Sequence, residues 1–378
     1  MKTLGLYIHI PFCERKCNYC DFYSVCISKE RADEYISALC QHIKSEAHLY
    51  KDYVFDTVFI GGGTPSILTS AQLELLMQTV KKELSISESA EITIEANPNS
   101  ITKEGLKTYL SNGINRLSIG LQSTDNEALA TLGRLHTLED FSESYRNARE
   151  AGFKNISIDV MYGLPGQSVE GFNKTLDSVC EFEPEHISLY CLKIEENTPF
   201  GKRKNELSLP TDDEEYEMYM SMCKKLNEHG YVQYEISNFS KEGYFSRHNK
   251  KYWLCQEYVG LGPSAHSYFN GVRYSYSNDL DKYIKEAVAC VPERINEVAE
   301  EQSFTEKMDE YVMLRLRLKD GVCVNEFKNH FGVDFEKEYP SMQKFVKSGH
   351  VVKENTVYRF SESGFFVSNF ILTEILHF

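Results

Sequence analysis

The sequence predicts an α/β protein built on a parallel sheet, and two observations lead to that prediction. Six short runs rich in β-branched and aromatic residues alternate through the first half of the chain with five amphipathic segments. Such alternation is typical of repeated βαβ units, whose strands lie parallel. The composition agrees, because 378 residues with 42% apolar and 26% charged residues describe a folded chain with room for a large and a smaller domain, or for two to three medium ones.

The predicted elements of the first half follow one another in a regular order. The strands are expected at 4–10, 57–61, 91–96, 116–121, 155–161 and 187–192. The helices are expected at 30–50, 69–84, 102–112, 138–151 and 168–182, several of them beginning near Ser, Thr or Asp. Periodicity leaves open whether this sheet closes into a barrel, but in either case ligands bind at the carboxyl ends of the strands.

The alternation stops in the second half of the chain. A helix is predicted at 213–229, and an irregular aromatic region at 231–283 contains HNKKYW and GLGPSAH. Three further helices are then predicted at 305–318, 322–331 and 335–347, followed by a hairpin with strands at 350–353 and 356–360. This order is typical of a winged-helix fold. We therefore expect a core domain at 1–230, an aromatic extension at 231–300 and a winged-helix-like domain at 301–378.

The charge of the chain excludes several classes of partner. It has 41 Lys and Arg against 56 Asp and Glu, a formal net charge of -15, which repels nucleic acid and anionic lipid. The C-terminal segment has no basic excess, so the winged-helix order does not predict DNA binding. No run approaches the roughly 18 apolar residues of a membrane span, and the N-terminal sequence is a poor signal peptide. We expect a cytoplasmic protein.

Three of the eleven cysteines are crowded together. Cys13, Cys17 and Cys20 lie within eight residues after the first predicted strand, while the other eight, Cys26 among them, are expected to be small buried apolar residues. A structural zinc site would need a fourth Cys or His at a recurring spacing. An iron–sulfur cluster held by three cysteines, with one iron left open for another ligand, is the reading that the spacing favours.

The spacing of these cysteines resembles the signature of the radical S-adenosylmethionine (SAM) superfamily, Cys-x3-Cys-x-aromatic-Cys, with Tyr19 as the aromatic residue. The resemblance implies a partial (βα)6 TIM barrel and a [4Fe–4S] cluster on Cys13, Cys17 and Cys20. It also implies that SAM chelates the open iron through its amino and carboxylate groups. An electron donor is needed to reduce the cluster, and whether bound SAM is consumed is left open.

The flanking motifs resemble one branch of that superfamily. YIHIPFC (7–13) and GGGTP (61–65) are similar to the branch that contains oxygen-independent coproporphyrinogen III oxidases and heme chaperones, and the similarity extends at least to His266. It implies SAM contacts from Tyr7, Tyr19, Gly62, Gly63, Thr64, Glu95, Gln122, Arg134 and Asp159. Local explanations exist beside it: the glycines form a tight turn, and the charged residues form salt bridges at the barrel end.

Two departures favour a heme chaperone over an oxidase. The oxidase pattern has a further cysteine where this chain has Phe22, and only six residues precede Tyr7, whereas the oxidases have a long N-terminal extension. HNKKYW (248–253) resembles a motif of the chaperones, so His248 is the expected axial ligand of heme, in a loop, with His266 as the rival. We expect a protein that binds heme and transfers it to an acceptor. The alternatives are the oxidase and a radical SAM enzyme for another tetrapyrrole.

Overall fold

The first half of the chain forms a parallel sheet with helices between its strands. The structure, a computed structural model, describes residues 2–26, 28–298 and 302–377. Its first eight strands are β1 (Lys2–Ile10), β2 (Phe12–Cys13), β3 (Val25–Cys26), β4 (Tyr53–Gly62), β5 (Ile86–Ala96), β6 (Arg116–Gln122), β7 (Ile156–Tyr162) and β8 (His186–Cys191). The first six helices are α1 (Lys29–Glu46), α2 (Ser70–Glu83), α3 (Lys103–Ser111), α4 (Asn126–Leu132), α5 (Leu138–Ala151) and α6 (Val169–Glu181). The predicted α/β class is confirmed.

The sheet is an incomplete barrel. Strands β1, β4, β5, β6, β7 and β8 lie side by side in that order and pair in parallel. The two outer members of this run pair with later strands of the chain rather than with each other. The barrel therefore stays open between β1 and β8, which confirms the partial (βα)6 barrel.

The segment after the barrel extends the sheet at both edges. Its elements are α7 (Pro199–Lys202), α8 (Asp212–Glu228), β9 (Val232–Gln233), β10 (Asn238–Ser240), α9 (Arg247–Trp253), β11 (Tyr258–Leu261), β12 (His266–Phe269), β13 (Val272–Tyr276), α10 (Leu280–Val288) and β14 (Arg294–Val298). Strands β10 and β9 continue the sheet beyond β8, and β11 to β14 continue it beyond β1. The region predicted to be irregular thus consists largely of regular elements, because short aromatic strands give only a weak periodic signal.

The C-terminal segment combines helices with a small antiparallel sheet. Its elements are α11 (Phe304–Arg315), β15 (Val322–Cys323), α12 (Val324–Phe331), α13 (Phe335–Glu338), α14 (Met342–Lys347), β16 (Val351–Glu354), β17 (Val357–Phe360), α15 (Glu362–Phe366) and α16 (Ser368–Ile375). The hairpin β16–β17 pairs with β15, as in a winged helix. Pro340 separates the two helices that the sequence predicts as one, since proline cannot donate a helical hydrogen bond.

The barrel strands have one aliphatic and one polar face. On β6 the side chains of Leu117, Ile119 and Leu121 are fully buried against the helix layer. Arg116 and Ser118 alternate with them and therefore point to the barrel interior, where both line a cavity. The same alternation on β5, β7 and β8 gives the barrel an interior rich in polar and ionisable groups.

The scattered cysteines are less buried than the sequence predicts. Cys40, Cys180 and Cys223 are buried, in helices that pack on the sheet. The prediction is wrong for the exposed Cys26, Cys191 and Cys290 and for the half-buried Cys255 and Cys323. Burial depends on how later elements cover a residue, which local sequence does not specify. Among the described residues, no helix combines the length and apolar character needed to cross a membrane.

Candidate functional site

The three clustered cysteines lie on one loop at the carboxyl end of the barrel strands. Cys13 ends β2, directly after the end of β1, and Cys17 and Cys20 follow on the connection to β3. All three are half-buried and none forms a disulfide. The predicted location of the cysteine loop after the first strand is therefore confirmed by the fold.

Backbone hydrogen bonds anchor the middle of this loop. The amide N–H of Asn18 donates to the carbonyl of Leu132 at 2.9 Å, and the Asn18 side-chain amide donates to the carbonyl of Thr131 at 2.9 Å. The N–H of Phe200 donates to the Asn18 carbonyl, also at 2.9 Å. The ends of α4 and α7 thus hold the cysteines in place from two sides.

Two of the three loop thiols accept hydrogen bonds from neighbouring side chains. Thr64 Oγ1 donates to the Sγ of Cys13 at 3.4 Å, and Arg134 Nη1 donates to the Sγ of Cys17 at 3.7 Å. Burial raises the pKa of Cys20, and the neighbouring thiols of Cys17 and Cys13 raise it further. The hydrogen bonds from Thr64 and Arg134 act in the opposite direction, because they stabilise the thiolate, which is the form that binds metal.

This donor set fits an iron–sulfur cluster better than a single metal ion. Within the described residues, no three His, Cys, Asp or Glu side chains are grouped so that they could hold one ion. A [4Fe–4S] cluster takes its cysteines on separate iron atoms and so keeps them farther apart. The zinc site that the sequence left open therefore lacks its ligands among these residues.

A polar network joins the cysteine loop to the ends of β5 and β6. Arg134 Nη2 donates to Asn97 Oδ1 at 2.6 Å and to the carbonyl of Gly120 at 2.8 Å. The Asn97 side-chain amide in turn donates to Thr64 Oγ1 at 3.0 Å. Asn97 was not singled out in the sequence, although its position two residues after Glu95, at a strand end, is the signal that could have identified it.

The glycines after β4 allow close packing against β1 and β2. Gly62 has a φ of +111°, and a Cβ there would lie 2.6 Å from the ring of His9. A Cβ on Gly63 would lie 2.5 Å from the carbonyl oxygen of Phe12. The N–H groups of Gly63 and Thr64 donate to backbone carbonyls of this strand pair. Close packing of this kind requires glycine at both positions, whether or not SAM also contacts them.

A cavity of about 530 Å³ fills the barrel interior. Its volume falls within the roughly 300–1,000 Å³ of small-molecule sites. Tyr7, Glu95 and Asp159, three of the residues expected to contact SAM, line it, and His248 lines it as well. Phe22 lines it too and is 71% exposed, so it lies at the rim.

Two of the carboxyls that line the cavity, those of Glu95 and Asp159, resist ionisation. Burial, and then the charge of Asp159, raise the pKa of Glu95 to about 8, although Gly62 N–H donates to its Oε2 at 3.1 Å. Burial also raises the pKa of Asp159, which accepts hydrogen bonds from Ser118 at 3.1 Å and from Ser157 at 3.3 Å. A cationic group or a hydroxyl that entered the cavity would favour the charged carboxylate of Glu95 or Asp159, so both side chains can bind such groups.

The remaining residues of the predicted set lie in different surroundings. Tyr7 O–H donates to Nδ1 of His9 at 3.0 Å, because His9 Nε2 is used to donate to the Tyr23 carbonyl. Gln122 ends β6 with a left-handed φ of +69°. Tyr19 packs against a small apolar cluster that is separate from the main core, and it is not among the residues lining the cavity.

His248 does not lie in a loop. It belongs to α9 and is 1% exposed, with Nδ1 hydrogen-bonded to Thr57 Oγ1 and Nε2 to Tyr252 O–H, both at 2.8 Å. Burial lowers its pKa to about 3, so the ring is neutral. The loop prediction is wrong because Ser246 caps a short helix whose polar sequence gave no helical pattern. His266, the rival, is exposed at the start of β12.

Several cavity residues were missed in the sequence. Arg116, Ser188 and Tyr190 lie on the inner faces of β6 and β8, and the alternation of polar with aliphatic residues could have identified them. Glu235 and Arg317 reach the cavity from the region after the barrel and from the C-terminal segment. Glu235 and Arg317 come near the cavity only when distant parts of the chain fold together, and no local sequence pattern indicates this.

The chain is similar to known protein families, to individual relatives and to a solved structure. The radical SAM superfamily matches residues 7–179 and the HemN C-terminal domain matches residues 303–367. The heme chaperone HemW of Lactococcus lactis is 35% identical, covering 99% of this chain and 98% of that protein, and the one of Bacillus subtilis is 38% identical, covering 93% and 94%. The coproporphyrinogen III oxidase (HemN) of Escherichia coli, a radical SAM enzyme, has a solved structure that matches this one with a TM-score of 0.87 at 23% identity. The match covers 98% of this chain and 89% of that one. This last likeness establishes the fold alone.

Proposed function

We propose a heme-chaperone function for this chain, which belongs to the radical SAM superfamily and, within it, to the family of the heme chaperone HemW. In this function it binds heme and transfers it to an acceptor protein. The observation that supports the proposal most is the extent of the likeness to relatives of that name, 35% and 38% identical over nearly the whole of both chains.

Membership of the superfamily implies a [4Fe–4S] cluster and SAM, and we assign the cluster to Cys13, Cys17 and Cys20. The assignment is supported by their common half-buried loop and by the hydrogen bonds that Thr64 and Arg134 donate to two of the thiols. When bound and reduced by an electron donor, such a cluster would supply an electron for the reductive cleavage of SAM. The chain's own part is to hold three thiolates and leave one iron free.

We assign SAM binding to the predicted residues around the cysteine loop and the cavity. Glu95 would accept a hydrogen bond from the ammonium of SAM and Asp159 one from a ribose hydroxyl, a pairing supported by their common cavity. Replacing Glu95 by Gln should lower SAM affinity about tenfold, the usual value of a charged hydrogen bond, with cluster content unchanged. Unaltered SAM binding in this variant and in Asp159→Asn would contradict the assignment.

Heme is proposed to occupy the same cavity, with His248 as the ligand of its iron. His248, Tyr252 and Trp253 all line that cavity, and a neutral imidazole is the form that binds iron. The proposal has a condition, because both ring nitrogens already take part in hydrogen bonds. Tyr252 must release Nε2 before iron can bind there.

A second candidate, the coproporphyrinogen oxidase, is favoured by the match of residues 303–367 to the HemN C-terminal domain. Phe22, at the position of the oxidase's additional cysteine, argues against it. The side chain is 71% exposed at the cavity rim, so it offers an apolar surface where the oxidase has a thiol.

The decisive experiment sets heme binding beside oxidase activity. The anaerobically reconstituted protein is titrated with heme and followed by Soret absorbance. The same preparation receives coproporphyrinogen III, SAM and a reductant. We expect saturable heme binding and no protoporphyrinogen. Conversion of coproporphyrinogen without heme binding would overturn the chaperone proposal, and Cys13→Ala serves as the control that abolishes any radical chemistry.

A further inference from the structure

Arg116 is a buried cation that forms no ion pair with another described residue. It is the first residue of β6, only 2% exposed, and its side chain lines the barrel cavity. Its Nε has no hydrogen-bond partner, and among the described residues no carboxylate lies within ion-pair distance of the guanidinium. A buried charge without a partner is strongly unfavourable. The position is therefore expected to receive its partner from outside the chain.

The neighbouring carboxyls interact with this charge only weakly, since Arg116 lowers the pKa of Glu95 and Asp159 but burial has the larger effect. Burial raises the pKa of Glu95 to about 8 and that of Glu235 to about 7, and it raises the pKa of Asp159 as well. Near neutral pH Glu95 and Glu235 are therefore partly protonated, whereas a guanidinium stays charged. The cavity keeps a positive site at Arg116.

This positive site lies far from the cysteine loop. Arg116 begins β6 and Gln122 ends it, which separates their backbones by about 20 Å. At the same end of the barrel Glu91, near the start of the parallel run of β5, accepts hydrogen bonds from the N–H groups of Arg247 and His248 at 3.0 Å. Helix α9 thus closes the cavity on the side of Arg116, and an anion bound there lies deep inside it.

We propose that Arg116 binds a carboxylate of the ligand that occupies the cavity. A guanidinium offers paired N–H donors that match the two oxygens of a carboxylate. This inference rests on the proposed function for its ligand: the carboxylate is a propionate of heme, because the carboxylate of SAM is expected at the open iron, at the other end of the barrel. The experiment tests SAM as the other source.

The experiment compares each ligand with a form that lacks the carboxylate. Heme and heme dimethyl ester are titrated into the reconstituted protein, with the fluorescence of Trp253, the only tryptophan, as the binding signal. SAM and decarboxylated SAM are compared by calorimetry. The variants are Arg116→Gln and Arg116→Lys, and the control is Arg146→Gln on the exposed face of α5.

We expect Arg116→Gln to lose the difference in affinity between heme and its dimethyl ester. Wild type and Arg146→Gln should bind heme about tenfold or more tightly than its diester. Arg116→Gln should bind the two equally, with diester affinity unchanged, and Arg116→Lys should keep part of the difference. If discrimination appears instead between SAM and its decarboxylated form and depends on Arg116, the proposal stands with SAM as the source.

Equal affinities within both ligand pairs in the wild type would overturn the inference, because cavity water alone would then solvate Arg116. The wild-type comparison decides this even if Arg116→Gln fails to fold. A wild-type protein that binds neither form of heme would overturn the proposed function, while the SAM pair would still test Arg116. The two failures are thus distinguishable.

Discussion

The three loop cysteines are distinguished from the other thiols by their donors and by their common loop. Among the other cysteines, Cys26 is the one to compare with the loop cysteines, because the β2–β3 register places it directly opposite Cys13. It is nevertheless exposed, in contrast to the half-buried loop thiols. Proximity in the chain and in space therefore does not by itself make Cys26 a fourth ligand.

Replacing any one of Cys13, Cys17 or Cys20 by Ala should abolish the cluster, since a three-cysteine site has no spare ligand. The wild type should contain about four iron and four sulfide after anaerobic reconstitution. Cys26→Ala is the matched control and should keep full iron content and visible absorption. Equal iron loss in Cys26→Ala would mean a fourth protein ligand and would contradict the open iron site.

Glu95 gives the stability of the protein a pH dependence. Its pKa is raised from the usual value to about 8 by burial and by Asp159. Between about pH 5 and pH 8 the folded state thus keeps a proton that the unfolded chain has lost, so the free energy of unfolding falls as pH rises.

Glu95→Gln should remove this decline, because an amide does not titrate. We expect the melting temperature of the variant to exceed that of the wild type by a margin that grows from pH 5 to pH 8. Thermal unfolding at three pH values checks this, with Glu74→Gln, on the exposed side of α2, as the control. A margin that stays constant with pH would show that Glu95 is ionised in the folded protein.

At the scale of elements, helix α9 connects the barrel interior to the heme proposal. His248 and Tyr252 are one helical turn apart, so their side chains lie on the same face. Their hydrogen bond spans 2.8 Å and occupies the nitrogen that iron would need. The ring of Phe59 lies against His248, with 5.3 Å between centroids, and fixes its orientation.

Tyr252→Phe should strengthen heme binding if His248 is the iron ligand. The change removes the hydroxyl that competes for Nε2 and keeps the ring, and loss of one hydrogen bond corresponds to roughly 0.5–1.5 kcal/mol, or up to about tenfold in affinity. Soret titration measures it, and His266→Ala should leave the spectrum unchanged. Weaker heme binding in Tyr252→Phe together with an altered spectrum in His266→Ala would move the ligand to His266.

The elements that were predictable are those with a strong local period. All six barrel strands overlap the runs rich in β-branched and aromatic residues that predicted them, and the predicted helix at 138–151 agrees with α5 to the residue. Helix α4, with seven residues, and α9, with a largely polar sequence, were missed because each is too short for a periodic pattern. The outer walls of the cavity were missed for another reason: Glu235 and Arg317 come from distant parts of the chain, and no local pattern places them beside the barrel.

At the scale of the whole molecule, the C-terminal segment is joined to the barrel rather than appended to it. The N–H of Ile236 donates to the carbonyl of Arg317 at 3.0 Å, and the N–H of Lys319 donates to that of Tyr234 at 3.0 Å. The buried apolar core is also continuous from the barrel strands to the C-terminal helices. One wall of the cavity thus depends on the C-terminal segment through Arg317.

The barrel and the C-terminal segment should therefore unfold together. Trp253 reports on α9 in the wild type, and a Trp253→Phe, Phe370→Trp variant moves the probe to α16, where residue 370 is 59% exposed. In anaerobic urea titrations the two probes should give the same midpoint, because a continuous core does not allow one part to lose its packing alone. Circular dichroism of both proteins controls for an effect of the substitutions themselves. An earlier transition at position 370 would mean that the C-terminal segment unfolds independently, and the cavity wall at Arg317 would then open before the barrel does.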